Sequence, residues 1–228
     1  MSSMKPREWA IIATLVVVVY AWLGLGMIYL KSPIASMLVY YLGLCFTGGL
    51  MLKRLIPGKE FRLFELRKHP HPVLLTLGLI IFTSAAIWAF KLLFQPGIVD
   101  PEIIRKGIGS IGMSRAHFWI PAGILIAINP FSEEFLWRWS LLPILLDGLK
   151  RNRAIMLSSV IFAGYHVLTV SMLFSPIWLV GVFLVTYVGG LFFANLLLKT
   201  HSLWYPIIVH MIINANLMML GYLFSSPQ

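Results

Sequence analysis

Charge is what this 228-residue chain has least of. Only 11% of its residues are Asp, Glu, Lys or Arg, against about 25% in a soluble domain. Acids are the scarcer sign, eight against eighteen Lys and Arg. Cysteine is nearly absent as well. Cys45 stands alone, which excludes an internal disulfide and a cysteine-cluster metal site. Within an apolar run it reads as a small core residue. A glycine-rich phosphate loop and an HExxH metal helix are both missing. So are an internal repeat, a low-complexity tract and any polar stretch long enough for a soluble domain.

What the chain has instead is apolar length. Hydrophobic residues make up 59% and the mean hydropathy is +0.88. A bilayer crossing needs about 20 apolar residues. Seven runs approach or exceed that, at roughly 9–30, 34–52, 73–94, 118–146, 154–173, 177–198 and 203–224. The first is too long for the apolar region of a signal peptide, about 7–15 residues, and reads as a retained membrane helix. The expected fold is therefore all-α: a polytopic transmembrane helical bundle of about seven helices in a single integral membrane domain, 1–228. In the fourth run Asn129-Pro130 predicts a kink or a break, which allows an eighth segment. Eight Trp and eight Tyr suit interfacial anchoring.

The net charge of +10 resembles a nucleic-acid binder's, but the basic residues fall in short connections between apolar runs. There they orient the chain and meet anionic headgroups, so lipids and not nucleic acid are the expected partners. Connections on the N-terminal side carry twelve Lys and Arg, those opposite carry five. The positive-inside bias places the N-terminus in the cytoplasm and the C-terminus outside the cell membrane. The basic stretch Gly58–Pro72, with Phe61, Leu63, Phe64 and Leu66, fits an interfacial helix or a solvated loop equally.

Six of the eight acids lie outside the runs or at their ends. Glu133 and Glu134 lie deep, in "NPFSEEFLWRW". An ionisable group at the centre of a membrane helix costs about 2.5–3.5 kcal/mol on insertion scales and by default marks a functional site. Glu134 and Arg138 are four apart, in the order that favours pairing on one helical face. They read as a brace. Glu133 is rotated about 100° away, which leaves it as the working carboxylate. Two further runs carry polar groups at matching depth. "FAGYH" places His166 four after Phe162, and "HMIIN" places His210 and Asn214 four apart on one face. At 1.5 Å per residue, Glu133 lies roughly 25 Å from Lys150, His166 roughly 20 Å from Arg153 and His210 roughly 16 Å from Lys199, all measured from the predicted cytoplasmic side. Asn195 and Asn216 read as helix-packing groups.

A carboxylate with a histidine can deprotonate a water. A histidine with an asparagine can donate to the oxyanion of a tetrahedral intermediate. Together they describe water-mediated amide hydrolysis without a cofactor. Glu133, His166 and His210 would also make a zinc set.

The motifs EExxxR (Glu133 to Arg138), FxxxH (Phe162 to His166) and HxxxN (His210 to Asn214), in this order in successive membrane helices, resemble the CPBP family. These are CAAX-prenyl-protease and bacteriocin-processing intramembrane proteases, also called Abi. The likeness covers a core at about 118–224. It implies a glutamate-type endopeptidase. In it Glu133, assisted by His166, activates water, His210 and Asn214 bind the oxyanion, and Glu134, Arg138 and Phe162 support the site. The implied partner is a protein or peptide substrate; neither a prenylated nor a sorted surface protein is singled out. Two other classes compete: a non-catalytic membrane immunity or scaffold protein, and a proton-coupled transporter, against which the lack of a repeat counts.

Overall fold

The computed structural model describes residues 4–30, 33–56, 70–91, 117–171 and 176–224, with Glu102, Arg105, Lys106 and Gly109. Every regular element among them is helical. We number the helices α1 (Pro6–Tyr29), α2 (33–55), α3 (Pro70–Lys91), α4 (119–148), α5 (Arg151–Val170), α6 (Pro176–Thr200) and α7 (Trp204–Phe224). The stretch 57–69, where an interfacial helix was one expectation, lies outside the described residues.

Five helices are long and apolar enough to cross a membrane: Pro6–Tyr29, Ala35–Leu55, Arg151–Val170, Pro176–Thr200 and Trp204–Leu223. The expected count of seven is not reached among the described residues, for two reasons. In α3 the apolar stretch is shorter, Thr76–Ala89. The fourth run is a succession of short α and π pieces, Trp119–Gly123, Ile124–Ile128, Asn129–Glu134, Phe135–Leu141 and Leu142–Gly148. They follow one another without a gap, so the helix does not stop at Asn129-Pro130.

The chain packs as two units. One comprises Met1–Leu66 and Ser132–Pro206, the other Arg67–Phe131 and Ile207–Gln228. The boundaries fall inside α4 and α7.

In the first unit α5 lies along α6, α1 lies against α5, and α2 lies against the 135–141 turn of α4. Apolar side chains gain little from leaving lipid, so membrane helices associate through close packing of small residues and through hydrogen bonds. Both devices are present. A Cβ on Gly190 of α6 would meet the Ser159 Cβ of α5 at 3.0 Å. A Cβ on Gly49 of α2 would meet the Ser140 Oγ at 2.8 Å and the Phe135 ring at 3.0 Å. The Tyr20 hydroxyl donates to the Ile161 carbonyl at 2.6 Å, and Trp22 Nε1 to the Ser36 carbonyl at 3.1 Å. Asn195 joins α6 to α5, accepting from Arg151 Nη2 at 3.2 Å. The outward stripe of α6, Ile177, Val180, Leu184 and Val188, is 56–74% exposed, an apolar face suited to hydrocarbon. His201 ends α6 in the left-handed region (φ 54°), and its N–H reaches the Leu197 carbonyl at 2.7 Å. This one-residue stop caps the helix and lets α7 begin at Trp204.

In the second unit Phe118 and Ala122 are buried against Leu125, Met218 and Tyr222. Asn216 accepts from Trp88 Nε1 at 2.9 Å and donates to Ser84 Oγ at 3.0 Å, tying α7 to α3 as a packing group.

Candidate active site

A proline inside a helix removes one N–H and pushes against the carbonyl four residues back. Around Pro130 the helix widens instead of breaking. Residues 124–128 form a π turn, in which the Asn129 N–H reaches five residues back to the Ile124 carbonyl. In that register the Leu125 carbonyl should receive the N–H of residue 130, which proline lacks. Asn214 of α7 supplies the missing donor. Its Nδ2 lies 2.8 Å from the Leu125 carbonyl and 2.7 Å from Asn129 Oδ1. Both amide hydrogens are thus engaged. The carbonyl, which only accepts, also decides which end of the Asn214 amide is nitrogen. His210 is 5% exposed and lies one turn earlier on α7.

In the first unit Glu133 and Glu134 are 1% and 0% exposed. The expected brace forms: Arg138 Nε lies 3.3 Å from Glu134 Oε2. The contact is close but not aligned as a hydrogen bond, so it is an ion pair. The charge of Arg138 has a second support. Its guanidinium lies 3.8 Å over the ring of Phe162 and 5.3 Å from that of Phe193, and the two rings meet edge to face. A buried cation over aromatic faces gains about 2 kcal/mol or more. Phe162 therefore has a physical task, and Phe193 is a supporting residue that spacing did not single out.

His166 sits in α5 one turn after Phe162. Its Nδ1 lies 2.8 Å from the Phe162 carbonyl. A carbonyl only accepts, so Nδ1 carries the proton and Nε2 of the neutral ring is an acceptor. The hydroxyl of Tyr165 lies 3.3 Å from that Nε2 and also bonds to the Glu133 carboxylate. Tyr165 is 1% exposed and stacks on Trp137, with ring centroids 5.6 Å apart. Trp137 Nε1 donates to the Tyr40 hydroxyl at 3.2 Å, and Tyr40 in turn bonds to Tyr165.

Glu133, Glu134, Arg138, Phe162 and His166 thus gather in the first unit, while His210 and Asn214 belong to the second with Asn129. Sequence reasoning passed over Tyr165, Tyr40, Trp137 and Phe193, because an aromatic residue in an apolar helix looks like lipid-facing or core packing. The one available signal was the position of Tyr165, next to His166 within the FxxxH motif. Among the described residues no three His, Cys, Asp or Glu side chains are grouped to hold a metal ion.

Residues 115–216 match the family described as Type II CAAX prenyl endopeptidase Rce1-like. The match spans all three motifs. It is a family of CAAX proteases of the CPBP group. No curated protein and no solved structure matches the chain.

Proposed function

Since residues 115–216 match the Rce1-like family and five helices are long and apolar enough to cross a membrane, we propose that the protein is an intramembrane endopeptidase. It hydrolyses a peptide bond of a membrane-associated protein or peptide by attack of water. What supports this most is the pairing of a buried carboxylate, Glu133, with a histidine whose tautomer is set by a backbone carbonyl.

Glu133 takes a proton from the attacking water. His166, protonated at Nδ1, offers Nε2 as a second acceptor in the same cluster. General-base assistance of this kind contributes about 10²–10⁴-fold. The oxyanion is received by His210 and by one Asn214 hydrogen, which leaves Asn129 Oδ1 for the substrate; each such donor is worth about 10²–10³ in turnover. Glu134, Arg138 and Phe162 hold α4 against α5. The protein lies in the cell membrane with its N-terminus cytoplasmic and C-terminus external, and the site is reached from the cytoplasmic side. No resident metal is needed for these steps.

The test is comparative proteomics of membranes from cells carrying wild type or Glu133→Gln, which keeps the side-chain shape but cannot accept the proton. The mutant should insert and fold normally and should accumulate an unprocessed precursor. Processing at the wild-type rate in the mutant overturns the general-base role. The absence of any accumulating precursor points to the non-catalytic reading.

A further inference from the structure

The cluster around Glu133 contains a chain of hydrogen-bonded polar groups. At one end stands Trp137, whose indole N–H only donates. At the other stand a carboxylate, which only accepts, and the Nε2 of a histidine with a proton on Nδ1, which accepts when the ring is neutral. Two hydroxyls, those of Tyr40 and Tyr165, lie between. Trp137 fixes the direction at its own end only, because the Tyr40 hydroxyl also bonds to Cys45. Trp137 donates to Tyr40 at 3.2 Å, Tyr40 and Tyr165 share a hydrogen bond, and the Tyr165 hydroxyl lies 3.3 Å from Nε2. All three rings are essentially buried. Trp137 and Tyr40 each pack against Tyr165, so the hydroxyl is held in place by ring contacts as well as hydrogen bonds.

Resting on the endopeptidase reading, we propose that Tyr165 is a positioning residue for hydrolysis. Its hydroxyl bridges Glu133 and Nε2 of His166 and holds the two acceptors at one spot. Tyr165 has a single proton for two acceptors. The hydroxyl can turn that proton to either group. The hydroxyl thereby keeps Glu133 and His166 within reach of the same water. Tyr40 and Trp137 hold the Tyr165 ring from behind.

The test has a spectroscopic arm and a kinetic arm. The protein is labelled with ring-¹⁵N histidine in nanodiscs, and His166 is assigned from its loss in His166→Gln. The wild-type spectrum should show a neutral ring protonated at Nδ1, with a hydrogen-bonded Nε2. Tyr165→Phe keeps the stacked ring and removes only the hydroxyl. It should move the Nε2 resonance to that of a nitrogen without a hydrogen bond and leave Nδ1 protonated. In the kinetic arm the probe is a quenched fluorogenic peptide ending in a farnesylated CAAX tetrapeptide. Tyr165→Phe should lower kcat about 10–100-fold, as removal of an orienting partner does elsewhere, with KM within twofold of wild type. A purely structural role would leave kcat unchanged once the ring is retained. An Nε2 resonance that does not respond, or a kcat within twofold of wild type, overturns the inference. If Tyr165→Phe does not fold, the wild-type spectrum still decides: a His166 protonated at Nε2 refutes the chain. If wild type leaves the peptide intact, the substrate assumption fails while the nitrogen shifts continue to test Tyr165 by themselves.

Discussion

Replacing Asn214 by alanine removes the donor that stands in for the missing N–H of Pro130. The Leu125 carbonyl and Asn129 Oδ1 then lose partners at 2.8 and 2.7 Å. Leaving one such group unsatisfied costs about 1–3 kcal/mol, so Asn214→Ala should destabilise the protein by about 2–4 kcal/mol. The specific claim is that Pro130 creates the need. Pro130→Ala restores an N–H that the π register directs at the Leu125 carbonyl. In that background Asn214→Ala should cost less, leaving a coupling of about 1 kcal/mol, within the 0.5–3 kcal/mol typical of residues in one network. The measurement is urea unfolding in mixed micelles of the four proteins: wild type, the two single variants and the double variant. Additivity within about 0.5 kcal/mol would falsify the substitution of a side-chain amide for a backbone donor. The result concerns stability alone, so it stands apart from any effect of Asn214 on turnover.

Glu134→Gln and Arg138→Met should each cost about 3–5 kcal/mol, because each leaves a buried charge uncompensated; the double variant should recover part of the loss, and additive melting shifts in detergent would count against a direct pair. Arg138→Lys should keep the charge yet behave more like Met than like wild type, since an ammonium lacks the flat face that lies 3.8 Å over Phe162; a wild-type melting temperature would remove that support. A reporter fused near Arg62 should read cytoplasmic and one after Gln228 external; a cytoplasmic C-terminus would mean that the number of crossings differs by one. Asn214→Asp should be no more active than Asn214→Ala at any pH tested, because a carboxylate repels the oxyanion. Full activity of Asn214→Asp, abolished by a chelator and restored by zinc, would establish the Glu133, His166 and His210 metal set instead.

The parts of the site legible in the sequence were those set by local geometry. Four residues make about one helical turn, so the Glu134–Arg138 contact followed from spacing, as did the shared face of His210 and Asn214. The all-helical class followed from apolar runs that no soluble fold could hide. The course of α4 was not legible. Proline reads as a breaker because its defect is local, while the remedy is an amide 89 residues from the carbonyl it satisfies. The π turns that shorten the α pieces leave no periodicity signal of their own, and among the described residues the fourth run is not one long α-helix. Phe162 was a letter in a motif, and Tyr165 a position between its letters, until the Arg138 guanidinium and the His166 ring lay beside them. Aromatic residues are so common in membrane helices that only a bonded neighbour distinguishes a working ring from a space-filling one.

The family match begins at residue 115, yet Tyr20 and Tyr40 lie far upstream of it. Tyr20 fastens α1 to α5 through the Ile161 carbonyl, in the space left by the bare Cα of Gly164. Tyr40 presents its hydroxyl and ring to Tyr165. The amino-terminal hairpin is thus wired to the very helix that carries His166, although it shows no family motif. A chimera that kept the matched segment intact and borrowed its first two helices from another membrane protein would preserve every motif letter and still lose the tyrosines on which this cluster leans. Substitutions in those two helices would in this sense reach the cluster without touching a motif.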